Sequence, residues 1–491
     1  MNGAFALVLA GGRGYRLWPK TSYYAPKPFL RVRDHESFLQ MTAARAATFL
    51  EAGSIYVVTT TDCAHLVRQH LPWMREENLL LEPVARDTAA SVAYACVALR
   101  RLGEHSVMVM IPSDHYVSDR AAWARTVEDA CALARGGRPV LVGVKPTRAE
   151  SQYGYIVAGQ GHRYEGQQTA TRFFHVDRFV EKPLSEEASE LIRSATCFWN
   201  SGMLVCRVDT ILGLLEKYLP ETSRISAEIG RLREAGGDGP SIRKLFESLS
   251  PISLDHAVLE KADGLFVAEG DFGWDDVGGW AALGRLLESD PCGNAVLGDV
   301  LLRDCSGCIV DCEGGSAIAV GMKDAVISQH GGKLLCASKA GLGELKDMVR
   351  ALERGEPGPN PASAQVTVPN VVPKPWGEEI WWAVTDHYLG KTLLISAGCS
   401  TSLHLHTVKH ETMYCQAGEG KVVLGGEETR FLPGQSLVVP PNTLHRISAT
   451  TDLAVLEAST PFPVDTVRVE DQYGRGDDLP RAEGKGGSCE F

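Results

Sequence analysis

The chain has 491 residues, 44% of them hydrophobic, enough to bury more than one core, and its length suggests about two to four domains. Lys plus Arg total 49 against 61 Asp plus Glu, a net charge of −12, which argues against a nucleic-acid partner and requires any anionic substrate to be met locally. No apolar run reaches the roughly 18 residues that cross a bilayer, and no basic leader with a cleavage site opens the chain, so a cytoplasmic protein with no membrane partner is expected.

An apolar run at 5–9, ending in Leu9 and Ala10, predicts a buried strand that breaks at Gly11, Gly12 and Gly14 before Arg16 and Lys27. Glycines let the backbone approach an anion and turn N–H groups toward it, while the arginine and lysine supply charge; the pattern reads as a phosphate cradle. Leu39, Ala43, Ala46 and Leu50 predict a helix over 36–52, stopped at Gly53, and a β-branched strand follows at 54–60. The alternation continues with a helix at 88–102, a strand at 106–112, a helix at 121–134 and a strand at 139–144. Such alternation predicts a doubly wound α/β domain with its ligand crevice at the carboxyl ends of the strands.

Candidate groups stand at those ends. Arg86, Asp87 and Thr88 enter a helix, either as a plain N-cap or as a contact for a base or ribose. Ser113 and Asp114 follow the 106–112 strand, where the aspartate suits either a turn or a hard cation shared with phosphate oxygens. Glu181 and Lys182 end a β-rich run before Pro183, and Asp275 and Asp276 follow a short strand at 265–268. Thirteen cysteines scattered through apolar segments read as reduced thiols. Cys305, Cys308 and Cys312 invite a zinc reading, but no fourth ligand lies nearby and packed thiols are favoured. From about 294 the texture turns to short β-rich pieces, then a helix at 343–354 and a Gly/Pro-rich linker. Farther on, His404, His406, Glu411 and His445 fall in a strand-rich region, a donor set that suits a divalent transition metal such as Zn2+.

The strings GGRGYRLWP and PKPFL, then EPVARDTA, SQYGYI, FVEKP, FWNSGM, SLDHAVLEK and GWDDVG, occur in order and together resemble the mannose-1-phosphate guanylyltransferases. The C-terminal spacing resembles a cupin, and in the bifunctional relatives that domain is a mannose-6-phosphate isomerase. The resemblance implies a Rossmann-like nucleotidyltransferase domain at 1–290 and a β-helix-like extension with its helix at 291–354. A linker at 355–371, an all-β cupin barrel at 372–480 and a tail at 481–491 would follow. It implies transfer of GMP from GTP to a sugar 1-phosphate, with a homodimer expected. Arg16, Lys27, Asp114, Lys182 and Asp276 would be catalytic, and Asp114 and Asp276 would hold Mg2+, Asp276 being preferred over Asp275. Leu9, Ala10, Gly11, Gly12, Gly14, Arg86, Thr88 and Ser113 would bind nucleotide; Gly154, Tyr155, Glu181, Lys182 and Asn200 would bind the sugar phosphate. Arg13, Tyr15 and Asp87 depart from the family's usual serine, threonine and asparagine, which leaves room for a heptose or octose in place of mannose. Lys409 replaces the arginine of the isomerase motif, and lysine cannot reproduce a bidentate phosphate contact.

Overall fold

The computed structural model describes residues 3–12, 14–22, 25–33, 36–163, 170–193, 196–236, 239–354, 370–384, 387–461 and 465–473. The expected linker up to residue 369, the tail at 481–491 and Arg13 lie outside them. The chain divides into two units, one of residues 1–311, 317–328 and 335–350, the other taking the remainder.

Alternation along the first strand sets the layering of the first unit. In β1 (Ala4–Leu9), Ala4, Ala6 and Val8 enter one buried cluster while Phe5 and Leu7 enter another, so both faces of the sheet are covered. The other strands of this sheet are β2 (Ile55–Thr60), β3 (Leu79–Glu82), β4 (Val107–Pro112), β5 (Val140–Val144), β6 (Tyr155–Arg163), β7 (Phe173–Val180), β8 (Cys197–Arg207) and β9 (Phe266–Gly270). They form a nine-stranded sheet in the order β3-β2-β1-β4-β8-β5-β9-β7-β6. Parallel register aligns Leu9 with Val58 and Pro112, Thr60 with Glu82, and Val144 with Gly270. Antiparallel β8 brings Trp199 against Val144, and Tyr155 pairs with both Trp199 and Val180. The predicted loops therefore leave the sheet along one rim.

Helices α1 (Phe38–Ala46), α2 (Ala64–His70), α3 (Asp87–Ala98), α4 (Arg120–Ala134), α5 (Ser185–Arg193), α6 (Val208–Tyr218), α7 (Pro220–Glu234), α8 (Gly239–Ser248) and α9 (Trp280–Leu286) join these strands. α1 is shorter than the periodicity predicts. A capping box between Ser37 and Gln40 starts it, and it ends where the Thr48 hydroxyl bonds to the Arg45 carbonyl. Strands at Ala295–Arg303, Ile309–Val320, Ala325–His330 and Lys333–Ser338 form a four-stranded sheet, followed by α10 (Leu345–Glu353). Cys305 and Cys308 pack with Val310, Ala319 and Ala325 in its core, and Cys312 is also buried. No helix among the described residues is long and apolar enough to cross a membrane.

The second unit holds two antiparallel sheets of six and five strands. Trp376, Leu393, Ile395, Met413, Val422, Ile447 and Val455 share a core there, as alternating strands packed face to face require.

Candidate active site

The glycine loop leaves β1 with its first carbonyls already committed. Leu9 O accepts from the Ser113 hydroxyl at 2.7 Å, and Ala10 O accepts from Thr59 Oγ1 at 2.7 Å. Ser113 thus joins two strand ends, and its buried hydroxyl is used inside the fold. Gly12 has φ 97°, and Gly11 and Gly12 have open space where a Cβ would point, leaving the backbone accessible. Gly14 is constrained differently: at φ 67° a Cβ would meet Lys27 Cβ at 2.8 Å.

That contact seats Lys27. Its ammonium, buried at the end of an apolar stem, donates to Asp114 Oδ2 at 2.9 Å and to the Asp276 backbone carbonyl at 2.6 Å. One cation therefore joins loops separated by more than half the chain. Burial alone would raise the Asp114 carboxyl, but Lys27 and His115 hold it below the ordinary carboxylate value. Burial lowers His115 in turn, and its Nδ1 accepts from the Trp274 indole at 3.2 Å.

Asp276 and its neighbour divide their work. Asp276 Oδ1 accepts from the Tyr153 hydroxyl at 2.8 Å and from Gly278 N–H at 2.9 Å. Asp275 is spent on Arg285, at 2.6 Å and 3.1 Å, and on Val277 N–H. The turn forces Val277, a β-branched residue, to φ 48°. Gly279 brings the same turn to Arg16, whose Cβ would lie 3.5 Å from a Cβ there. Lys27 thus ties the Asp114 carboxylate to the Asp276 backbone, and carboxylates such as these are donors that suit magnesium, which binds through one or two carboxylates plus phosphate oxygens.

A second group sits beside the first. A Cβ on Gly154 would lie 2.6 Å from Glu181 Oε2 and 3.3 Å from Asn200 Cβ, so these three motifs converge. Asn200 donates to Asp255 Oδ1 at 2.8 Å; burial and the Glu181 charge push the Asp255 carboxyl up to about 6. Lys182 takes φ 51° and pairs with Glu181.

Several expected contacts are otherwise engaged. Tyr155 is fully buried, and its hydroxyl closes the 150–155 loop on the Glu150 backbone, so it fastens the loop and does not face a ligand. Arg86 donates to the Phe246 and Glu247 carbonyls at the end of α8, at 3.2 Å and 2.6 Å, a C-terminal cap. Thr88 Oγ1 accepts from Leu254 N–H at 2.8 Å. Conversely, Tyr153 and Asp255 lie inside the strings quoted above and His115 directly follows Asp114, yet their residue types alone give no signal of a role. Glu82 gives none either: burial pushes its carboxyl up to about 7, and its Oε1 has no partner among the described residues.

In the second unit, His404 pairs with His445 across adjacent strands, and the ligand atoms of His404, His406 and His445 lie within 4.8 Å of one another. Each Nδ1 is hydrogen-bonded to a carbonyl: Ser402 O at 2.8 Å, Asp465 O at 2.8 Å and Thr443 O at 3.0 Å. Each Nε2 is thereby left as a lone-pair donor, as a metal requires. Glu411 reaches His406 Nε2 at 3.1 Å and His445 Nε2 at 3.2 Å. Lys409 is engaged by Glu411 at 2.6 Å and Glu457 at 2.8 Å. These groups line a cavity of about 160 Å3.

An accessible glycine loop and a buried lysine that ties the Asp114 carboxylate to the Asp276 backbone, on the rim of an α/β sheet, suit, as a class, an enzyme of nucleotide phosphate chemistry. The family described as Nucleotidyl transferase matches residues 5–290, and that described as Cupin domain matches residues 392–458. The chain is 31% identical over 484 residues to the xanthan biosynthesis protein XanB of Xanthomonas campestris pv. campestris (strain B100), covering 97% of this chain and 100% of the relative. It is 29% identical over 483 residues to a mannose-1-phosphate guanylyltransferase of Escherichia coli (strain K12), covering 96% and 98%. A solved structure from Thermus thermophilus, described as a mannose-1-phosphate geranyltransferase, aligns at TM-score 0.63 and 33% identity over 72% of this chain and 99% of that one. The chain belongs to the nucleotidyl transferase family and is a nucleotidyltransferase with a cupin domain C-terminal to the transferase region.

Proposed function

We propose that the protein transfers GMP from GTP to a sugar 1-phosphate, mannose 1-phosphate first, giving a GDP-sugar and pyrophosphate. The observation that carries this reading is the convergence of Asp114 and Asp276 on Lys27 beside the glycine loop. An oxygen of the sugar phosphate attacks the α-phosphorus in line, the bond to the β-phosphate oxygen breaks, and pyrophosphate leaves with the electron pair. The attacking oxygen is already anionic, so positioning and charge neutralisation are what the protein must supply.

The exposed backbone of Gly11 and Gly12 receives the triphosphate, and Arg16 offsets its charge. Gly154, Glu181 and Asn200 receive sugar hydroxyls, and Lys182 the sugar's phosphate. Lys27 keeps Asp114 ionised and fixed relative to the Asp276 turn. Asp114 and Asp276 would hold the magnesium ion, which when bound supplies positive charge at the reacting phosphate. The domain boundaries given above, the homodimer and the cytoplasmic location belong to the same reading.

A screen of pyrophosphate release across four nucleoside triphosphates and several sugar phosphates tests it. GTP with mannose 1-phosphate should be fastest, and Asp114→Ala should abolish release. No release with any pair, or an active Asp114→Ala protein, would overturn it. A second reading, isomerisation of mannose 6-phosphate and fructose 6-phosphate in the cupin cavity, draws on the three histidines and Glu411, which would hold Zn2+ or another divalent transition metal. Lys409 counts against it, since two carboxylates already engage its ammonium. Failure to form mannose 6-phosphate from fructose 6-phosphate would remove it.

A further inference from the structure

The helix after the four-stranded sheet is packed onto the glycine loop. Leu345 and Val349 of α10 share a buried cluster with Leu17 and Val277, one residue from Arg16 and from Asp276 respectively, with Tyr15 and Trp18 packed against it. The Arg350 guanidinium lies 5.4 Å from the centre of the Tyr15 ring, a cation–π contact that fixes the helix's rotation. Lys346, next to Leu345, is thereby carried to the loop. Burial, then the charges of Arg350, Arg16 and Lys182, hold its ammonium below the ordinary lysine value, with Asp347 opposing. No carboxylate accepts from the ammonium of Lys346 or from Arg16 among the described residues. Lys182 has Glu181, but the Lys346 ammonium and Arg16 have no carboxylate partner among the described residues, and such cations repel one another unless an anion joins them.

We infer that Lys346 is a further phosphate-binding residue of the nucleotidyl-transfer site, contacting the β- and γ-phosphates that leave as pyrophosphate. The inference rests on the transfer reading above and extends it to a residue beyond the 290 positions at which the family match ends. The helix that carries Lys346 packs against Leu17 and Tyr15, the two neighbours of Arg16, and this places it on the triphosphate side of the site. Before the reaction Lys346 adds charge to the leaving group, and afterwards it holds the product pyrophosphate.

The test uses the full chain with magnesium, inorganic pyrophosphate as the calorimetric probe, and steady-state rates. Lys346→Ala should weaken pyrophosphate binding and raise KM for the nucleoside triphosphate about tenfold, the loss of one charge-assisted hydrogen bond. KM for the sugar phosphate should be unchanged, and Lys346→Arg should recover most of the loss. Circular dichroism and the thermal midpoint should match wild type, because the side chain is half-buried on the helix surface. Pyrophosphate binding and nucleotide KM equal to wild type in Lys346→Ala would overturn the inference, as would a loss confined to the sugar phosphate. Pyrophosphate binding needs no turnover. Normal Lys346→Ala binding in an active enzyme refutes this inference alone, whereas Lys346-dependent binding in a protein that turns over no substrate pair refutes only the transfer reading.

Discussion

Lys27 has more consequence than its neighbours because it serves two loops at once. Replacing it with methionine keeps an apolar chain at this buried position but leaves the Asp114 carboxylate without its cation. The rate of pyrophosphate release should fall by about 100-fold or more, the scale of removing a preorganised charge from a transferring phosphate. Stability should acquire a different acid limb. The folded-state value of Asp114 is lowered, so its contribution is present above the ordinary carboxylate value of about 3.9 and is lost as pH falls through the lower folded value. In Lys27→Met, burial of Asp114 is no longer opposed by that charge, its folded-state value rises, and the stability lost on acidification should shrink. Thermal midpoints of both proteins between about pH 3 and 7 give the comparison. An unshifted acid limb would show that Lys27 is not what depresses Asp114.

The glycine loop is held by more than its own turn. Lys20 Nζ sits 3.0 Å from both oxygens of Asp311, which also accepts from the Ser328 hydroxyl at 3.1 Å. Asp311 is 3% exposed and Lys20 13%, so the pair fastens the segment after the loop to the four-stranded sheet. Asp311→Ala should cost about 2–3 kcal/mol in urea unfolding, near the lower end for a broken buried pair because Lys20 keeps some access to water. Lys20→Met with Asp311→Leu should recover much of that loss, since an apolar pair leaves no buried charge behind. A single mutant within about 0.5 kcal/mol of wild type would show the fastening to be dispensable.

The second unit carries its own chemistry. Three histidines whose Nδ1 atoms are already bonded present their Nε2 atoms to one point, and burial keeps His404 neutral well below the ordinary imidazole value. Protein purified without chelator should hold about one transition metal ion per chain by mass spectrometry, and His445→Ala should lose it. Dialysis against a chelator should lower a thermal transition by mass action, while pyrophosphate release returns once magnesium alone is restored. Metal retained in His445→Ala would place the site elsewhere.

The repeating strand–helix pattern and the glycine loop followed by Arg16 and Lys27 were readable because each is local: periodicity and turn chemistry act over a few residues. The rim position of Asp114, Glu181 and Asp276 followed from the rule that ligands gather at strand ends. What the linear pattern did not contain was partnership. Tyr155 and Tyr153 are two residues apart in one motif, yet one hydroxyl closes a loop and the other reaches Asp276. Arg86 sits in a nucleotide-like string but caps α8, and Glu82 beside it is a buried carboxyl with an unpartnered oxygen among the described residues. The helices of 208–248 carried no chemical motif, and Lys346 lies in one of many amphipathic helices. Residue type and spacing determined which groups were available at the rim; long-range packing decided which were spent inside the fold and which were left open there, because a buried polar group takes whatever partner the tertiary structure brings to it.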